Sequence, residues 1–303
     1  MKSLRGLTVD LGKEELTVTL KLTERCNQNC SYCQMHGEAE PMSLIDIRTA
    51  IDRLASLKRD QYNFFIFGGE PTVHPHFRKA MEYLSEAIPP QNLSINVQTN
   101  LKKSLTFYKE VLLSVPEIKF SASYQNHQIQ DYKEYVKKAL FLKRNNALIS
   151  IDFMLEHENK DECVERFKLM SKCFLPVASQ LLHGDRAEDF EEYEELFDQS
   201  EDMFQVDGEF VYTKNYVVEN LKNKVKGMNC AVGYNNVFIN HDGNFYLCFS
   251  HARLDQSKPC GNILSSNGDV QLKETLSKKS YICRWNTCDC EYGLPKWREN
   301  ERK

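Results

Sequence analysis

Between residues 17 and 182 the chain alternates short β-like runs with longer segments of helical spacing. Thr17–Leu22 (TVTLKL) switches between polar and apolar positions and is rich in β-formers, which predicts a strand. In Ser43–Leu57, the residues Leu44, Ile47, Ile51, Leu54 and Leu57 recur at helical spacing, and Ser43 with Asp46 resembles a capping box. A strand at Asn63–Phe67 follows, then a helix at Phe77–Ile88 that stops at Pro89-Pro90. Further strands at Leu93–Val97, Ile118–Ala122, Leu148–Met154 and Val177–Leu182 are separated by helices at Leu105–Ser114, Asp131–Asn145 and Lys160–Lys172. Strands separated by helices pair in parallel, with the helices packed outside. Six such units predict an α/β fold, an open, partial (β/α)6 TIM-like barrel rather than a closed eight-fold one. In such folds the chemistry gathers at the C-terminal ends of the strands.

From about residue 206 the pattern changes: Gly, Asn, Tyr and Cys become frequent and helical spacing fades. Val237–Asn240 and Phe245–Cys248 flank His241-Asp242-Gly243-Asn244, which predicts a β-hairpin with Asp-Gly at its turn. The expected organisation is a barrel over residues 1–205 and a small C-terminal β-hairpin-plus-helix cluster-binding domain over 206–303. Residues 185–202 form a dense acidic run, read as a solvated helix face or, alternatively, a docking surface for a basic partner. The formal net charge of -4 lacks the basic excess of a nucleic-acid binder. No apolar run approaches the roughly 18–20 residues of a membrane span, and no signal core follows the N-terminus. A cytoplasmic protein with no membrane or nucleic-acid partner is expected.

Chemistry enters with the 11 cysteines, nine of which fall into two groups, 26–33 and 230–290. In the cytosol, clustered cysteines point to metal or redox chemistry rather than disulfides. Cys163 and Cys173 stand apart on a helical pattern and read as core thiols. The first group, Cys26-x3-Cys30-x2-Cys33, follows the first strand directly and so falls at the C-terminal end of the sheet. Three thiolates on one loop hold three corners of a 4Fe–4S cube and leave one iron open. An open position marks a catalytic rather than a structural metal. A structural zinc site with His36 as fourth ligand is the alternative.

The loop Cys26-Asn27-Gln28-Asn29-Cys30-Ser31-Tyr32-Cys33 resembles the signature motif of the radical S-adenosylmethionine (SAM) superfamily. Gly68-Gly69-Glu70-Pro71, after the second strand, resembles its GGEP motif, and the likeness extends over about residues 15–185. The resemblance implies a 4Fe–4S cluster on Cys26, Cys30 and Cys33, with SAM on the open iron. It implies reductive cleavage of SAM to methionine and a 5′-deoxyadenosyl radical, which takes a hydrogen atom from the substrate. The cofactor carries this chemistry while the protein supplies position and excludes water. The implied roles are close backbone approach to the ligand at Gly68 and Gly69, with Pro71 in the same motif. Glu70 would accept a hydrogen bond from the SAM amine, and Tyr32 would lie against the adenine. Ser121 and Ser123 either bind the ribose or simply end the fourth strand, while Gln98, Thr99 and Asn100 line the cavity. His74 and His76 read as loop and helix-start residues. A flavodoxin or ferredoxin is the expected reductant.

Cys230 and Cys248 bracket the hairpin as Cys-x12-Gly-x4-Cys, with Gly261-Asn262-Ile263 beyond it. This resembles the opening of the SPASM or twitch extension of radical SAM enzymes and implies auxiliary 4Fe–4S binding. The six cysteines at 230, 248, 260, 283, 288 and 290 are too few for two full clusters, so one is expected. Cys230, Cys248, Cys288 and Cys290 are its first-choice ligands, with Cys283 as substitute; zinc on the same residues is the alternative. Cys260, left over, is a candidate hydrogen-atom donor. The resemblance implies an oxidoreductase or maturase that modifies a peptide by crosslinking, epimerisation or oxidation. The alternative is a dehydrogenase or epimerase of a sugar, amino acid or other small metabolite, and a non-catalytic iron–sulfur carrier is a third reading.

Overall fold

The computed structural model describes residues 14–30, 33, 37–155, 160–173, 175–181, 203–206, 209–212, 229–230, 232–255, 257–278 and 281–284. Strands β1 (Glu15–Thr23), β2 (Gln61–Gly68), β3 (Leu93–Thr99), β4 (Ile118–Gln125), β5 (Leu148–Leu155) and β6 (Val177–Leu181) pair in parallel, in chain order. Between them run α1 (Leu44–Ala55), α2 (Phe77–Ala87), α3 (Leu105–Ser114), α4 (Tyr132–Arg144) and α5 (Lys160–Lys172). The result is the partial (β/α)6 barrel that the periodicity predicts. Helix starts are fixed locally. Ser43 Oγ accepts from Asp46 N at 3.2 Å, Ser104 Oγ from Phe107 N at 3.2 Å, and Asp131 Oδ1 from Glu134 N at 3.0 Å, each satisfying an otherwise orphaned first-turn donor.

Beyond β6 the described elements are β7 (Met203–Val206), β8 (Glu209–Tyr212), β9 (Asn229–Cys230), β10 (Asn236–Ile239), β11 (Asn244–Tyr246), α6 (Phe249–Leu254), β12 (Gly261–Asn262), α7 (Gly268–Leu276) and β13 (Tyr281–Ile282). β7 pairs with β8 and β9 with β13, both antiparallel. The predicted hairpin forms as β10 and β11. Gly243 in its turn sits at φ +82°, and a Cβ there would stand 2.6 Å from Leu264 Cγ. The hairpin does not stand alone. β10 runs parallel to β1 with Thr17 opposite Asn236 and Leu20 opposite Ile239, so the main sheet reads β12-β11-β10-β1-β2-β3-β4-β5-β6.

Strand side chains alternate between two faces. On one face Leu16, Val18, Leu20, Leu22, Phe64, Ile66, Ile95, Val97, Phe120, Ala122, Ile151 and Phe153 join the buried residues of α1–α4 in a continuous apolar core, which also takes in Val237, Ile239 and Phe245 of the hairpin. The opposite face carries Thr19, Lys21, Asn96, Gln98, Ser121, Ser123, Ser150 and Asp152. Its apolar patch is aromatic: Phe67, Phe238 and Tyr246 form a separate cluster with Ala252, against which Phe249 packs. Phe67 meets Phe238 edge-on at 5.5 Å, which joins β2 to the hairpin on this face.

Candidate active site

The cysteine loop leaves the C-terminal end of β1 and is held there by the turn after β2. Gly69 N donates to Thr23 O and Glu70 N to Arg25 O, both at 2.9 Å. A Cβ on Gly68 would stand 2.2 Å from Thr23 O, and one on Gly69 2.3 Å from Glu24 O. The two glycines therefore let the turn lie directly on the backbone that enters the loop; the close approach observed is to the chain itself. Gly37 N donates to Glu24 O at 2.9 Å and closes the loop on its far side. Lys21 Nζ donates to Glu24 Oε1 at 2.7 Å, and His241 Nδ1 at the hairpin tip lies 3.6 Å from the same oxygen. Burial acts to raise the Glu24 pKa, but the hydrogen bond and charge of Lys21, with the charge of His241, outweigh it and hold the carboxyl below its ordinary value.

Glu70 is the hub beneath the loop, at 2% exposure. Its Oε1 accepts from Thr72 N at 3.1 Å, Thr72 Oγ1 at 2.5 Å and Thr99 Oγ1 at 2.9 Å, while Oε2 accepts from Asn100 N at 2.7 Å. Burial pushes the Glu70 carboxyl up, and the donors of Thr72, Asn100 and Thr99 oppose that shift. Through this carboxylate the ends of β2 and β3 become one rigid floor. Asn100 then reaches the loop: its Nδ2 donates to Asn27 Oδ1 at 2.8 Å and stands 4.0 Å from Cys26 Sγ. Lys102 Nζ donates to Asn27 O at 3.2 Å, and Gln128 Nε2 to Asn29 O at 3.4 Å.

Within the loop, Gln28 N donates to Cys26 Sγ at 3.4 Å and Cys33 N to Cys30 O at 3.0 Å. Burial pushes the Cys26 thiol up; the N–H of Gln28 opposes this, and the charges of Glu70 and Cys33 add to it. Among the described residues no three His, Cys, Asp or Glu side chains are drawn together as a ligand group. The three thiols share one loop, and their fit to a metal centre rests on the donor chemistry: one buried and two half-buried thiols, side-chain amides close to them, and Gln28 Nε2, a buried donor with no hydrogen-bond partner.

The remaining predicted residues divide clearly. Ser121 Oγ donates to Asn96 Oδ1 at 3.2 Å and Ser123 Oγ to Thr99 O at 3.5 Å, and both serines are buried on the polar face. Gln98 Nε2 donates to Asp152 Oδ2 at 3.2 Å. Pro71 begins a buried turn, Pro71–Val73. His74 Nε2 lies 2.8 Å from Met42 O, and His76 precedes α2, so both have the loop and helix-start roles expected. Cys248 is buried at the start of α6; Cys260 and Cys283 are half-buried; Cys173, expected as a core thiol, is instead exposed just past the end of α5. Of Cys230 only the backbone is described, opposite Tyr281. Tyr32, His36, Cys288, Cys290 and the acidic run 185–202 lie outside the described residues. Sequence reasoning missed Thr72, Lys102 and Gln28. Thr72 carried a signal, lying two residues past Glu70 where a side chain and its own N–H can both turn back.

The family model for the radical SAM superfamily matches residues 20–199, which include both the cysteine loop and the glycine turn. The chain belongs to the radical SAM superfamily. Membership implies a 4Fe–4S cluster and SAM at this end of the sheet. An uncharacterized protein of Methanocaldococcus jannaschii is 25% identical over 284 residues, covering 86% of this chain and 93% of that one. The solved structure of anSMEcpe with bound AdoMet is similar in fold, with a TM-score of 0.61 and 19% identity over 88% of this chain and 82% of that one. Streptococcus suis SuiB bound to precursor peptide SuiA is similar at a TM-score of 0.59 and 15% identity, covering 87% of this radical SAM chain and 66% of that one. No helix of the described residues is long and apolar enough to cross a membrane.

Proposed function

We propose that this radical SAM protein is an oxidoreductase or maturase that abstracts a hydrogen atom from a peptide and so crosslinks, epimerises or oxidises it. The observation that carries the reading is the junction at the C-terminal end of the sheet, where Glu70 and Asn100 hold the three-cysteine loop in place. When bound, a 4Fe–4S cluster with SAM supplies one-electron cleavage to a 5′-deoxyadenosyl radical. Cys26, Cys30 and Cys33 would hold that cluster. Among the described residues Glu70 Oε2 accepts from Asn100 N, and it keeps acceptor capacity for the SAM amine. Tyr32 would back the adenine, and Ser121, Ser123, Gln98 and Asn100 would line the ribose side of the cavity.

Peptide as substrate is supported by two things. Solved relatives in fold are structures with peptides, anSMEcpe with Cp18Cys peptide and SuiB with SuiA. Beside the ribose-side groups, the polar face of this sheet also offers Asn96 and Ser150, neutral groups that can both donate to and accept from backbone amides. Residues 206–303 would form a SPASM- or twitch-like unit with one auxiliary 4Fe–4S cluster on Cys230, Cys248, Cys288 and Cys290, Cys283 being the substitute. Burial pushes the Cys260 thiol up. The group therefore keeps its S–H, the form a hydrogen-atom donor uses. A flavodoxin or ferredoxin would deliver the electron.

Anaerobic reconstitution of the full chain tests the reading. With dithionite and SAM it is expected to yield 5′-deoxyadenosine by mass spectrometry and to bind about eight irons, four per cubane. Loss of 5′-deoxyadenosine formation in Cys30→Ala is expected. A wild-type chain that leaves SAM intact sinks the enzyme reading, and about four irons removes the auxiliary cluster. Turnover of a sugar or amino acid with no peptide turnover would move the substrate to the small-metabolite alternative.

A further inference from the structure

Gln28 sits between the first two cysteines of the loop and is 8% exposed. Its side-chain amide is placed with Oε1 3.9 Å from Cys30 Sγ, the thiol donating, and with Nε2 buried and without a partner. Both ends of that arrangement belong to a protonated Cys30. A cysteine that ligates iron is a thiolate, with no proton to give and a negative sulfur that accepts. Against a thiolate, Oε1 would face like charge while a buried donor beside it stayed unsatisfied, a combination that interiors avoid. A half-turn of the amide exchanges its two ends and removes both faults together. Among the described residues Asn100 also brings a side-chain amide close to a thiol, at 4.0 Å from Cys26 Sγ, but its Nδ2 already donates to Asn27 Oδ1 at 2.8 Å. Gln28 is thus, among the described residues of the loop, the buried amide whose donor has no partner.

We propose that Gln28 is a positioning and tuning residue: its side-chain N–H donates to sulfur at Cys30 and raises the reduction potential of the cluster on Cys26, Cys30 and Cys33. Reduction adds negative charge that is shared with the sulfurs, and an N–H dipole aimed at them stabilises the reduced form more than the oxidised one. The effect would lie in loading the electron that SAM cleavage consumes, not in holding the iron. This rests on reading the loop as the cluster site.

The test is an EPR-monitored redox titration of the reconstituted full chain, following the cluster signal that changes when SAM is added, in wild type, Gln28→Leu and Gln28→Glu. Both variants are expected to bind as much iron as wild type. At a fixed potential the reduced-to-oxidised ratio is expected to fall about tenfold in Gln28→Leu, or about 59 mV for a one-electron couple. Gln28→Glu, nearly isosteric but with an acceptor in place of the donor, is expected to fall further. Unchanged potentials in both variants at wild-type iron content overturn the proposal. Loss of iron from both, with wild type loaded, makes Gln28 a folding residue and overturns it as well. A wild-type chain that takes no iron and gives no SAM-sensitive signal overturns the cluster assignment beneath it.

Discussion

The two faces of the main sheet are built by the same strands and do opposite things. Phe120 and Ser121 are neighbours in β4. Phe120 is fully buried among helices and meets Tyr108 edge-on at 5.4 Å, whereas Ser121 turns to Asn96 on the polar face. Period-two alternation thus separates stability from chemistry within one residue step. An apolar core can be dense only because the other face is relieved of packing. That other face can present hydrogen-bonding groups because the helix side carries the fold. Glu70 belongs to neither side. It is a buried carboxylate whose donors come from the ends of two strands, and it connects the stable floor to the cysteine loop.

Three substitutions would break or sharpen the contrast. The largest effect is expected from Phe120→Ala, at about 3–5 kcal/mol of unfolding free energy from lost burial and the cavity left behind. Urea unfolding measures it, while the fraction still folded should keep its capacity to cleave SAM. Glu70→Gln is intermediate. The new amide nitrogen must face either Asn100 N–H or the donors of Thr72 and Thr99, which costs about 1–3 kcal/mol, again read by urea midpoint. Ser121→Ala is the smallest in stability, at about 0.5–1.5 kcal/mol for the lost hydrogen bond to Asn96, yet it should weaken SAM binding in equilibrium dialysis. A Ser121→Ala midpoint drop as large as that of Phe120→Ala would show that the polar face is simply a second core.

Much of this was legible in the chain. Leu105–Ser114 and Lys160–Lys172 are helices with the bounds their periodicity predicts, because their ends coincide with clear changes in apolar spacing. β4 runs to Gln125, beyond the Ala122 expected, because Ser123 and Gln125 lie on the polar face and do not look like strand residues to a hydrophobic pattern. The cysteine loop and the glycine turn were readable as motifs. The reason for the glycines was less so: their contact is with Thr23–Arg25, which only the folded chain brings alongside. The hairpin was marked by Asp-Gly, but its place beside β1 was not, since pairing of Thr17 with Asn236 leaves no local trace. Gln28 reads from sequence as one polar residue among several; its orphaned nitrogen is a property of packing.

The parallel seat of β10 on β1 carries a consequence for the integrity of the molecule. Without it, the strand that delivers the cysteines would be the outermost one of the barrel, with a row of unpaired N–H and C=O groups open to strands of other chains. With it, β1 is flanked on both sides, and among the described residues the rim of the sheet moves out to the two-residue β12. Very short rim strands make poor templates for aggregation. The late hairpin therefore acts as a guard: it keeps the cysteine loop on a strand whose two edges are both already paired.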